Sequence, residues 1–77
     1  MFNKNLLGER LLALREEKSL SQKAVADLLN VTRTQISDIE NGKSGTTLDR
    51  FYQLCEFYQV SADYLLGITD DPTWRGK

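Results

Sequence analysis

Leu7, Leu11 and Leu14 recur at i, i+4 and i+7 and predict an amphipathic helix from Asn5 to Lys18, with Glu9, Arg10, Glu16 and Glu17 on the rest of the cylinder. Ser21 is a suitable N-cap for a second helix, Gln22 to Leu29, in which Val25, Ala26 and Leu29 share a face. Asn30 then stands where the chain must turn. Thr32 and Gln35 have capping-box spacing: a hydroxyl and an amide, each able to satisfy a backbone N–H that the helix start leaves unpaired. A third helix therefore starts at Arg33. It ends at Asn41-Gly42, with Gly42 suited to the left-handed position, and Lys43 to Thr47 is a polar loop. Leu48, Phe51, Leu54, Cys55 and Tyr58 keep helical spacing and predict a fourth helix from Leu48 to Gln59 that gives this face to the core. Val60 packs at the following turn. Ser61 caps a short fifth helix, Ala62 to Leu66, closed by Gly67. From Ile68 to Lys77 no period survives, so this stretch reads as an irregular tail, frayed or in contact with a second copy.

At 77 residues the chain has material for one domain, divided here into residues 1–67 and the tail 68–77. No strand, repeat or low-complexity segment breaks the helical pattern, and no apolar run is long enough to cross a bilayer. The first residues lack the apolar stretch and small-residue cleavage site of a signal peptide, and the single cysteine, Cys55, cannot make an internal disulfide. A soluble protein of the reducing cytoplasm is expected. The chain has no histidine, so a Cys/His metal site cannot be built and the commonest general base is missing. With no nucleophile–base pair and no phosphate loop, an enzyme is not expected; nor is a metal or other cofactor. Net charge is −1, unlike the basic balance of most nucleic-acid binders. The charge is nevertheless polarised: residues 1–43 hold seven basic and six acidic side chains, the remainder three and five.

Residues 22 to 41 form two short helices joined by Asn30-Val31-Thr32, which is helix-turn-helix spacing. Ala26 supplies the small residue that a close crossing demands, Asn30 tolerates positive φ, and Val25, Leu29, Val31, Ile36 and Ile39 occupy inward positions. Around them stand Leu7-Gly8-Glu9-Arg10-Leu11, Ser21-Gln22, the run from Thr32 to Lys43, and Val60-Ser61-Ala62-Asp63-Tyr64-Leu65-Leu66-Gly67. On these residues the chain resembles the Cro/cI-type, or Xre-like, helix-turn-helix regulators over about sixty residues. The resemblance implies an all-α, lambda-repressor-like bundle of five short helices that binds double-stranded DNA through the third. Two departures are visible: Gly45-Thr46-Thr47 replaces a common Asn-Pro-Ser, and Asn30 a common glycine.

On a helical wheel Arg33, Thr34, Ser37, Asp38 and Asn41 gather opposite Ile36, Ile39 and Glu40. This polar, mostly short-chained face suits the major groove. Arg33 can bridge guanine O6 and N7, Thr34 and Ser37 can offer hydroxyls or a methyl, and Asp38 can either accept from cytosine N4 or simply pair with a lysine. Ser21 and Gln22 lie at a helix N-terminus, where backbone phosphate is favoured, and Lys23 is an outer phosphate candidate beside them. By resemblance Gln22 holds phosphate, while Asn41 and Lys43 form a second clamp; Lys4, Arg10 and Lys18 are outer candidates. Arg15 and Glu40 match residues that the resemblance implies form a partly buried ion pair.

One helix reads few base pairs, so a homodimer on an inverted repeat is expected, with Tyr64, Leu66, Ile68 and Trp74 as contact candidates. Against this, Leu65 and Leu66 can both belong to the core, with Trp74 merely disordered. Cys55 reads as a small core hydrophobe, and Phe51, Phe57, Tyr52, Tyr58 and Tyr64 as core and interface packing rather than a stacking platform for single strands. The competing reading on the same scaffold is a protein-interaction module, an antitoxin or transcription adaptor. The resemblance implies a prokaryotic or phage source and repression by blocking a promoter.

Overall fold

The computed structural model describes residues 1–74 and 76 of the chain. Five helices follow one another: α1 (Lys4–Glu17), α2 (Gln22–Leu29), α3 (Arg33–Glu40), α4 (Leu48–Tyr58) and α5 (Ala62–Leu66). The all-α expectation holds, and each predicted helix is present with its ends moved by no more than a residue. Local chemistry explains the starts. Asn3, Ser21, Thr32, Thr47 and Ser61 each sit in extended backbone and accept a hydrogen bond from a backbone N–H of the first turn. At α3 the capping box is closed from both sides: the Gln35 N–H donates to Thr32 Oγ1 at 3.1 Å and the Thr32 N–H to Gln35 Oε1 at 2.9 Å.

The ends are equally local. Asn30 ends α2 at φ +57°, and Gly42 follows α3 at φ +72°, both in the left-handed region that their residue types tolerate. Gln59 was expected as the last residue of α4 and instead leaves the helix at φ +54°, letting the Val60 N–H return to the Cys55 carbonyl at 3.1 Å.

One core holds the helices together. Leu7 and Leu11 of α1, Val25, Ala26 and Leu29 of α2, Ile36 and Ile39 of α3, Leu54, Cys55 and Tyr58 of α4, then Val60 and Leu65, are all buried. Val31 is only half-buried, packed against that core from the turn. Burial raises the pKa of the Cys55 thiol, which fits its reading as a small hydrophobe. Among the described residues the sole β feature is an isolated antiparallel bridge between Val60 and Thr73.

One expectation needs correction. Leu48 does not join the core face of α4: as the first residue of that helix it lies beyond the reach of the packed turns and is 82% exposed. Tyr52, read as core or interface packing, is exposed and so is not part of the core, its hydroxyl donating to Glu56 of the next turn at 3.1 Å. The tail is irregular and, through residue 74, held to the bundle. The Ser61 N–H donates to the Pro72 carbonyl at 3.1 Å, Asp70 pairs with Arg10 at 2.7 Å, and Trp74 packs against the core. Positions 75 and 77 of the expected tail lie outside the described residues.

Candidate nucleic-acid interface

The C-terminal ends of α1 and α3 meet the N-terminal end of α2 around one buried carboxylate. Glu40, whose side chain is 4% exposed, accepts from Arg15 twice, from Nε at 2.8 Å and from Nη2 at 3.1 Å. Arg15 spends its remaining nitrogen on the Leu20 carbonyl at 2.8 Å. Gln22 Nε2 donates to the same carboxylate at 3.0 Å, so Glu40 also faces the positive end of α2. The Glu40 bond raises the pKa of Arg15, and Tyr58, buried beside the pair, has its phenol pushed up to about 12, first by burial and then by Glu40. Near neutral pH Arg15 is therefore charged and Tyr58 neutral.

This knot fixes the separation of two surface groups. Because Gln22 touches the last residue of α3, Ser21 and Gln22 are brought to the end of α3 from which Asn41 and Lys43 continue. The two expected phosphate clamps, distant in sequence, therefore share one side of the molecule. Gly42, just past α3, lies directly on Asn5 of α1, where an added Cβ would fall 2.1 Å from Asn5 Oδ1.

The outward face of α3 divides. Arg33, Thr34 and Asn41 are exposed, whereas Ser37 and Asp38 are half-buried. Arg33 extends from the first turn with no ion pair or hydrogen bond to its guanidinium among the described residues. Asn41 donates to Ser37 Oγ at 3.2 Å, joining two of the polar positions. Asp38 lines a hollow of about 210 Å³ between α3, the loop 43–47 and α4, with Gln35 and Arg50 on its walls. No lysine pairs with it among the described residues. Arg50 is held at that hollow by the Leu29 carbonyl at 3.1 Å and Gln53 at 2.7 Å.

The outer cations fare differently. Lys23 pairs with Asp27 at 2.9 Å, an exposed i,i+4 pair worth about 0.3–0.5 kcal/mol that phosphate can readily displace. Lys4, Lys18 and Lys43 are exposed. Arg10 is not available to phosphate. Its guanidinium lies 4.1 Å over the Tyr64 ring and donates to the carbonyls of Tyr64 and Thr69 and to Asp70, because the tail folds back across α1. The Arg10 latch was illegible in the sequence, since nothing in the aperiodic tail announces where it docks. Of the expected dimer contacts, Tyr64 is half-buried under Arg10, Leu66 and Trp74 are half-buried, and Ile68 is 72% exposed.

Among the described residues no cluster of His, Cys, Asp or Glu could hold a metal ion, and no helix is long and apolar enough to cross a membrane.

Comparison with known proteins agrees with the helix-turn-helix fold. The family described as "Helix-turn-helix domain" matches residues 8–69. Among relatives, the uncharacterized HTH-type transcriptional regulator YobD of Bacillus subtilis is 33% identical over 64 residues, covering 83% of this chain and 57% of YobD. The HTH-type transcriptional regulator ImmR of the same organism is 36% identical over 61 residues, covering 79% of this chain and 48% of ImmR. The chain thus spans about half the length of these relatives. Among solved structures, the restriction-modification controller protein C.AhdI of Aeromonas hydrophila superposes with a TM-score of 0.72 at 27% identity, over 80% of this chain and 94% of that one.

Proposed function

This chain belongs to the helix-turn-helix domain family, in its Xre-like branch, and from that premise we propose that it is a sequence-specific regulator of transcription that binds double-stranded DNA as a homodimer. The observation that carries the reading is the exposure of Arg33 and Thr34 on the N-terminal turn of α3, where their side chains are free to meet base edges. Ser37 and Asp38, half-buried beside them, complete the reading face, Asp38 as an acceptor for a cytosine amine. Ser21, Gln22, Lys23, Asn41 and Lys43 hold the phosphate backbone to either side. Ser21 and Gln22 do so from the α2 N-terminus, where orphan N–H groups favour anions.

A second copy supplies the second half-site, and the surface around Tyr64, Leu66, Ile68 and Trp74 takes part in the contact. Occupying a promoter then represses it. The site of action is the cytoplasm. No part of this reading requires catalysis or a cofactor.

Selection of bound duplexes from a random DNA pool tests the proposal. The expected winner is an inverted repeat with half-site centres about 34 Å apart. Its affinity is expected to fall steeply with salt, in proportion to the phosphates neutralised. A pool that yields no enriched sequence, together with weak duplex binding at low salt, refutes the DNA reading and favours the protein-interaction module.

A further inference from the structure

Gln22 is assigned above to a DNA phosphate, yet its side-chain nitrogen already donates to a buried group, Glu40 Oε1 at 3.0 Å. The two roles are compatible, because a carboxamide carries two N–H donors on its nitrogen and only acceptors on its oxygen. Glu40 is gripped through both oxygens by Arg15, at 2.8 Å on Oε2 and 3.1 Å on Oε1, and in that state it accepts and does not donate. It therefore takes the nitrogen of the Gln22 amide and rejects the carbonyl. An unattached glutamine turns its amide over freely and offers donor or acceptor by chance. At Gln22 one N–H is fixed on Glu40, and the other has no acceptor among the described residues.

We propose that Glu40 is a positioning residue for DNA binding: it holds the Gln22 amide one way round, so that a single nitrogen bridges the buried carboxylate and a phosphate oxygen. The inference rests on the phosphate role of Gln22 proposed above. Glu40 suits the task because its side chain is 4% exposed and cannot itself repel the phosphate at close range, its charge being matched by Arg15. Gln22 is half-buried at the first position of α2, so one side of its amide faces inward while the residue stays within reach of solvent. Ordering of the side chain that DNA would otherwise have to impose is already present in the free protein, which favours binding. Asn41 follows Glu40 directly in the chain, so the same residue ties one clamp by a hydrogen bond and the other by a peptide bond.

A carboxylate that only partners Arg15 would affect binding through the fold, and a double-variant cycle separates the two roles. Gln22→Ala, Glu40→Gln and their combination are measured against the duplex selected above, at a temperature where thermal melts show every variant folded. Glutamine at position 40 keeps the size of the side chain but can meet the Gln22 amide with either an acceptor or a donor, so the amide is no longer held one way round. Each single variant is expected to weaken binding on the order of tenfold, and the combination to match the larger single loss within about twofold, because both remove the same contact. A neutral methylphosphonate at one phosphate of each half-site is expected to weaken wild type and leave both variants unaffected. Disorder in α3 would not single out one phosphate in this way. If Glu40→Gln does not fold, Arg15→Met with Glu40→Leu, which strands no charge, takes its place with the same expected loss.

Losses that add in the combination, or a Glu40 variant that binds like wild type or keeps the methylphosphonate sensitivity while Gln22→Ala loses it, overturn the positioning role and leave the phosphate role of Gln22 standing. A Gln22→Ala protein that binds like wild type, or a pool that yields no duplex, overturns both.

Discussion

Arg15→Ala is expected to lower the free energy of unfolding by about 3–5 kcal/mol, the usual consequence of removing one partner from a buried ion pair. Arg15 and Glu40 expose 13% and 4% of their side chains, so water cannot replace the lost guanidinium. Gln22 would remain as the one side-chain donor to a buried carboxylate at the C-terminal end of α3, the end whose dipole disfavours negative charge. The Leu20 carbonyl would lose its guanidinium donor as well. A domain of this size has about 5–15 kcal/mol in total, so the loss takes a large share of its stability. Denaturant unfolding of Arg15→Ala measures it. The double variant Arg15→Met with Glu40→Leu is expected to recover most of the stability, because an apolar pair strands no charge. A single-variant loss below about 1 kcal/mol would mean that the pair is solvated in solution.

Gly8→Ala is expected to cost about 2 kcal/mol even though alanine is the better helix former. A Cβ at Gly8 would stand 2.4 Å from the Glu40 carbonyl oxygen and 2.5 Å from that of Ile39. Both are backbone atoms near the end of α3 and cannot rotate away. Overpacking costs about 3 kcal/mol, and the helix-propensity gain returns about 1 kcal/mol. Relief of the clash would push α1 from α3, stretching the Arg15–Glu40 bonds. Gly8→Ala is therefore expected to weaken DNA binding in step with its lowered melting temperature. A variant with an unchanged melting temperature would show that α1 and α3 do not pack this closely.

These two residues mark where sequence reading succeeds and where it stops. The helices were legible because their signals are local: the leucine spacing of α1, the Thr32–Gln35 box, and Asn30 and Gly42 at left-handed turns. Arg15 and Glu40 are 25 residues apart, and no spacing links them. Their pairing came from family resemblance, and Gln22 as a further partner of Glu40 was not foreseen. Gly8 carries no periodic signal either, since its value lies in an absent side chain facing another helix. Leu48 was misassigned because the wheel of α4 places it on the core face, but the core no longer extends to that first turn. The tail was illegible for the opposite reason: Arg10, Asp70, Pro72 and Trp74 dock through individual tertiary contacts that leave no period.

The central claim is that the N-terminal turn of α3 reads bases. It is tested most directly by measuring Arg33→Ala and wild type against the selected duplex and every single-base variant of one half-site. The expected result is a loss of about 1–3 kcal/mol on the selected duplex, with preference relaxed at one base pair and retained elsewhere. A uniform loss across all variants, or none, would contradict it and assign Arg33 to the phosphate backbone or to solvent.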